Sequence, residues 1–176
     1  VEGDWPMQWA RKYQFVADDP NKVTMQERDA KRAQVSAALM PVAQAGQTRL
    51  SIISPYFVPG DNGTAVLTSA ARSQRNVRVL TNSLVANDVA AVHGGYSRYR
   101  EPLLEAGVQI WELKPLTQSK ANSSFLGSSG ASLHTNALAV DGRTLFVGSY
   151  NLDPRSAWLN CEQGVLVEND VLAQQL

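Results

Sequence analysis

The chain has 176 residues, 44% of them hydrophobic, with 16 Lys+Arg set against 16 Asp+Glu. That balance excludes a disordered chain and lacks the net positive charge of a nucleic-acid binder. One cysteine, Cys161, excludes an intrachain disulfide scaffold and favours a reducing compartment, and no apolar run reaches the roughly 18 residues of a membrane span.

The start, VEGDWPMQWARKY, has neither an initiator Met nor a signal-peptide core and reads as an excised fragment or processed product. Thr24 and Glu27 have capping-box form, and Val35, Leu39 and Val42 follow at helical spacing. They predict one helix over 25–45, bent at Pro41 and stopped by Gly46. RLSIIS (49–54) is a strand, 62–74 a helix and NVRVLTN (76–82) a strand. Val89, Val92, Tyr96, Tyr99 and Leu103 define one helical face, with Gly94, Gly95 and Pro102 predicting a break or kink. GVQIWEL (107–113) is a strand and the Ser/Gly-rich stretch 114–132 a loop. NALAVDGRTLFVGS (136–149) is a hairpin turning at Asp141-Gly142; a last strand covers 162–169, and a helix begins at Asp170. Strands alternating with helices and ending in a hairpin predict an α/β fold built on a mixed sheet.

Two histidines are present, and His93 alone reads as an ordinary core or surface residue. His134 differs in its company. It precedes the hairpin whose far strand runs into Gly148-Ser149-Tyr150-Asn151, followed by Arg155-Ser156 and Asn160-Cys161-Glu162. A short hairpin brings His134, Ser149 and Asn151 to one spot at the strand ends, an arrangement suited to an anion. One Cys and two His at these spacings do not make a zinc site. Trp111, Phe146 and Val147 read as core, Cys161 as a small buried hydrophobe, and Trp158 and Leu159 lie just after Arg155-Ser156 near this spot.

The segment from His134 to Asp141 resembles the His-x-Lys-x4-Asp (HKD) signature of the phospholipase D superfamily, and GSYN (148–151) resembles its Gly-Ser-x-Asn element. ISPYFVPG (53–60), TNSLVANDVAAVHGGYSRYR (81–100), GVQIWELKP (107–115) and SYNLDPRSAWLNCEQGVLVEN (149–169) are similar to the C-terminal half of bacterial class C cardiolipin synthases. The resemblance implies a layered α/β/α sandwich and phosphatidyl transfer between phospholipids through a phosphohistidine, with no cofactor and no metal. It implies His134 as general acid and then base, Glu162 as the carboxylate on its far nitrogen, and Ser149 and Asn151 as donors to the phosphoryl oxygens. Asp141, at the turn, is expected to be structural. The implied substrates are phosphatidylglycerol and a second phospholipid, at the cytoplasmic face of the bacterial inner membrane. A metal-independent phosphodiesterase or nuclease of the same superfamily and a degenerate headgroup-binding half are the alternatives.

Two departures stand out. Asn136 occupies the signature's Lys position at the phosphate, so the expected site is weakened. Only one copy of the signature is present. Residues 10–23 resemble the segment joining two halves, which predicts a linker remnant over 1–24 and one phospholipase D-like domain over 25–176. The partner half is then expected upstream, or from a second copy of the chain.

Overall fold

In a computed structural model of the protein, which describes residues 7–25, 35–86, 90–114 and 132–176, the chain reverses at Asp141 and Gly142 with φ of 53° and 62°. A reversal of this hand needs residues that tolerate positive φ, the reason Asp-Gly is favoured. It joins β5 (Asn136–Val140) to β6 (Thr144–Gly148), placing Asn136 opposite Gly148. β7 (Gln163–Glu168) pairs antiparallel with β6, and β1 (Lys12–Ala17) pairs antiparallel with β7. On its other side β5 meets β2 (Arg49–Ile53), which begins the parallel run with β3 (Asn76–Asn82) and β4 (Gln109–Leu113). The order across the sheet is β1-β7-β6-β5-β2-β3-β4.

Parallel neighbours require crossovers, here α2 (Gly60–Arg72) and α3 (Ala90–Glu105), while α1 (Val35–Ala45) leads into β2. Strand alternation turns Leu50, Ile52, Val77, Val79 and Val140 toward Ala43, Leu67, Ala70, Tyr96 and Leu103 of these helices. A second cluster, Val16, Val35, Leu39, Phe146 and Leu166, joins the first through Val42 and Leu138. The other face meets the chain's last residues: α5 (Asp170–Ala173) brings Gln175 and Leu176 beside Ser51, Ile53, Arg78 and Trp111. The architecture is the layered α/β one expected.

Several local expectations need correction. Residues 12–17, inside the expected linker, form an edge strand; only Val16 of the six is buried, too short an apolar signal to read as a strand. α3 runs unbroken through Gly94, Gly95 and Pro102. Pro102 forgoes only its own N–H, and Gly95 lets Val58 approach, since a Cβ there would lie 3.2 Å from Val58 Cγ1. Met25 is extended (ψ 155°), ending a single 3-10 turn at Lys22–Thr24; the expected helix is described from Val35 on, and residues 26–34 lie outside the described residues. Glu27, Val89 and residues 115–131 lie outside the described residues. Trp111 and Val147 are each 48% exposed. Trp111 sits on the edge strand, roofed by the Arg78 guanidinium. Cys161, in the loop before β7, is exposed, while its neighbour Glu162 is the residue turned inward.

Asp141 fastens the turn to the rest of the fold. Its carboxylate accepts hydrogen bonds from Gln47 N (2.8 Å), Thr48 N (2.8 Å), Thr48 Oγ1 (2.9 Å) and Arg49 N (2.9 Å). Burial alone would raise this carboxyl, but the N–H groups of Arg49, Gln47 and Thr48 outweigh it and hold the group well below the usual carboxylate range. A carboxyl depressed in the folded state contributes stability above its unfolded value and loses it as pH falls. Asp141→Asn tolerates the positive φ but sets an NH2 where an oxygen accepted. The variant is expected to lose about 1–3 kcal/mol at neutral pH. The gap between variant and parent melting curves should narrow as pH falls below about 4. A gap that does not depend on pH would show that the ionised carboxylate is not what closes this connection.

Candidate active site

The β5–β6–β7 register determines which side chains share one end of the sheet. Asn136 lies opposite Gly148 and Gly148 opposite Gly164. His134 enters β5 at that end, Ser149 leaves β6, and Glu162 enters β7. The paired glycines leave room for the Phe146 ring: a Cβ on Gly148 would lie 2.7 Å from Phe146 Cζ, and one on Gly164 2.5 Å. Backbones and ring therefore pack tightly beneath the site.

Glu162 is buried, with both carboxylate oxygens engaged. Ser149 Oγ donates to Oε2 at 2.5 Å and Ser156 Oγ to Oε1 at 2.7 Å. Ser156 belongs to α4 (Pro154–Trp158), a short helix with proline in its first turn, capped by Asp153, whose carboxylate accepts from Ser156 N at 2.7 Å. Ser156 Oγ also accepts from Asn151 N at 3.2 Å. Asn151 Oδ1 accepts from Tyr56 N at 3.1 Å, which assigns the orientation of its amide and leaves the NH2 as a donor.

His134 is exposed, its Nδ1 3.2 Å from Ser132 O. Asn82 frames this approach: its Oδ1 accepts from Leu133 N at 2.9 Å, and its Nδ2 donates to Leu133 O at 3.2 Å. Asn136 is buried; its Nδ2 donates to Ser149 O at 3.2 Å, and its Oδ1 has no partner.

The strand register thus brings His134, Asn136, Ser149 and Glu162 to the same sheet end, with Asn151 tied to it through Ser156. No hydrogen bond joins His134 to Glu162 among the described residues. The proton of Ser149 goes to Glu162, so in this arrangement Ser149 does not offer it to a ligand. Asp141 lies at the opposite end of the hairpin. His93 packs edge-on to Tyr96 at 5.6 Å, its Nδ1 buried without a partner, and no described contact links it to His134.

The surroundings of Glu162 are acidic. Burial pushes the Tyr150 hydroxyl up to about 12; a hydrogen bond with Ser36 opposes this, and the charges of Asp153, Asp18 and Glu162 add to it. Burial also raises Asp153, against the N–H of Ser156 and with the help of the Glu162 charge. Among the described residues no lysine or arginine side chain bonds His134, Asn136, Ser149, Asn151 or Glu162. The arrangement can donate from the Asn151 amide to an oxyanion and move a proton through the exposed His134 imidazole. A fixed positive charge has to come from elsewhere.

Sequence reasoning missed Ser156, Asn82, Asp18 and Lys22 as supports. Asp153-Pro154 was a usable signal for the helix cap that carries Ser156. The other three act across long sequence separations that no local pattern betrays.

Comparison with known proteins identifies the family to which this fold belongs. The family profile described as "Cardiolipin synthase, PLD-like domain" matches residues 39–176. Cardiolipin synthase C of Escherichia coli is 43% identical over 99% of this chain, which spans 37% of that relative's length. Cardiolipin synthase A of Proteus mirabilis is 26% identical over 98% of the chain and 35% of its own length. The chain thus spans about a third of the length of these curated relatives. In fold it is similar to Nuc, a phospholipase D family member from Salmonella typhimurium, with TM-score 0.62, 15% identity, and 93% of this chain and 88% of that one covered. Phosphatidylserine synthase of Haemophilus influenzae aligns with TM-score 0.60 and 19% identity over 93% of this chain and 36% of that one. With most of its length matched by the profile, the chain belongs to the phospholipase D-like domain family of cardiolipin synthases.

Proposed function

We propose that this chain is the C-terminal catalytic half of a phospholipase D-type cardiolipin synthase, transferring a phosphatidyl group between phosphatidylglycerol and a second phospholipid through a phosphohistidine. What carries the reading is that one hairpin end gathers His134, Ser149 and Glu162 in a chain 43% identical to Cardiolipin synthase C over 99% of its length. The attacking histidine belongs to a partner half, supplied upstream or by a second copy. It forms a bond to phosphorus while His134 protonates the departing alcohol. His134 then takes the proton of the incoming phospholipid hydroxyl as that oxygen displaces the histidine. Asn151 donates to the phosphoryl oxygens. When a phosphoryl group is present Ser149 rotates to it, freeing Glu162 Oε2 to accept from the imidazole and stabilise its charged form. The site works at the cytoplasmic face of the inner membrane as a peripheral surface; no described helix is long and apolar enough to cross a membrane.

Asn136 limits this site. Its amide hydrogens are turned to Ser149 O, so it presents an unpartnered acceptor where a phosphate calls for a cation. In a protein joining this chain to the upstream half of its relatives, Asn136→Lys is expected to raise phosphatidyl transfer by about ten- to hundredfold, the value of one charge-assisted hydrogen bond. The isolated chain is expected to form negligible cardiolipin. No gain from the lysine counts against the reading, and substantial transfer by the isolated chain would identify a second copy as the partner half. Orthovanadate binding without any turnover in the joined protein favours a degenerate headgroup-binding half, and DNA cleavage in chelator favours a phosphodiesterase.

A further inference from the structure

Asp18 and Lys22 have no part in the chemistry above, yet their side chains are 0% and 1% exposed. Lys22 Nζ donates to Asp18 Oδ2 at 2.5 Å, to Ser156 O at 2.8 Å and to Asn160 O at 2.8 Å, which uses all three of its protons. Asp18 Oδ2 also accepts from Glu162 N at 2.9 Å, and Asp18 N donates to Glu162 O at 2.8 Å. Asp18 Oδ1 accepts from Val35 N at 2.5 Å, at the start of α1. Both backbone polar groups of Glu162 therefore end on Asp18, while the loop between Ser156 and Glu162 is held at two carbonyls by Lys22. Ser156 passes the constraint on, bonding Glu162 through its hydroxyl and receiving Asn151 N.

Burying an ion pair costs desolvation that apolar residues of the same volume avoid, so stability alone is a poor reason for it. Nor is the pair needed to dock the segment, since β1 already pairs with β7 along six residues. What it supplies is direction. Three hydrogen bonds from one ammonium, and a carboxylate shared between two backbone N–H groups, allow few alternative placements of the loop.

We infer that Asp18 and Lys22 are positioning residues that hold Glu162, Ser156 and Asn151 in place around the phosphoryl site. The inference rests on the transferase reading for the role of Glu162 and extends it to what keeps that acid in register.

The test uses the 176-residue chain, with Lys22→Met and the charge-free Asp18→Asn/Lys22→Met pair, each examined by thermal unfolding, amide hydrogen exchange and orthovanadate binding. The doubly substituted chain is expected to unfold cooperatively and keep the protection of α2 and α3. Its Glu162 amide should exchange faster, and its orthovanadate affinity should fall roughly tenfold, the scale on which lost supporting contacts weaken a site. A folded double variant lacking either change overturns the inference. So does loss of the fold in both variants, since the pair would then be a determinant of the whole domain. If the parent chain fails to bind orthovanadate, it is the transferase reading that suffers; Glu162 exchange alone then decides, faster exchange in a folded variant supporting the positioning role and unchanged exchange overturning it.

Discussion

His134→Ala, made in the protein that joins this chain to its partner half, is expected to cut phosphatidyl transfer by about 10²–10⁴-fold, the range for losing a positioned general acid and base. Stability should move by no more than about 0.5 kcal/mol, because the ring is exposed and makes one described hydrogen-bonding contact, to Ser132 O at 3.2 Å. The leaving group separates the possible roles. A p-nitrophenyl ester departs without protonation, so a general-acid histidine becomes nearly dispensable for the first step. The initial burst of nitrophenolate should then survive in the variant while transfer from phosphatidylglycerol does not. If the burst falls as far as the transfer, His134 is not the acid. If transfer is undiminished, the sheet end described here is not the reaction centre.

Phe146→Ala is expected to produce the largest loss of stability, about 3–5 kcal/mol. The ring is 1% exposed, packs with Val16, Val35, Leu39 and Leu166, and fills the space that side chains at Gly148 and Gly164 would occupy. It also lines an apolar cavity of about 80 Å³ bordered by Leu39, Ile52, Leu67 and Leu152, so its removal enlarges a gap already present. Neighbours held by strand register cannot collapse into that volume. For a chain of this size the melting midpoint should fall on the order of 6–20 °C. A fall of only a degree or two would mean that the ribbon repacks freely. Because the ring lies beneath Gly148 and Gly164, the variant should also loosen Ser149 and Glu162, which a weaker orthovanadate affinity would report.

Most of the sheet was legible from local pattern. Asp141-Gly142 announced the hairpin, and NVRVLTN matches β3 residue for residue. Elements failed where their burial is sparse: β1 hides only Val16, and its exposed Tyr13 and Phe15 carry no inward periodicity. α3 was harder for the opposite reason. Its glycines and proline look like breakers, while the packing of Tyr96 and Leu103 outweighs their local cost. At the site, the hairpin made the shared location of His134 and Ser149 readable, because a hairpin with a known turn has a known register, whereas Glu162 was indicated only by the family resemblance. Residue types did not reveal where each proton goes. Ser149 has one to give, and its delivery to Glu162 depends on the short α4 that supplies Ser156. Lys22 was still less readable, since its carbonyl partners lie 134 and 138 positions away.

The hairpin does unlike work at its two tips. His134 stands at one, while at the other Asp141 grips the passage from α1 into β2. Each strand between them has five residues, about 16 Å of extended backbone. The interval from histidine to aspartate is therefore a ruler laid across the breadth of the sheet, and no reacting atom depends on it. Lengthening both strands by two residues would preserve the alternation and leave the ring's neighbours alone, yet carry the aspartate beyond the amides it grips. A signature that looks like one chemical unit in linear text joins a reagent to a rivet, and its spacing records the thickness of the wall between them.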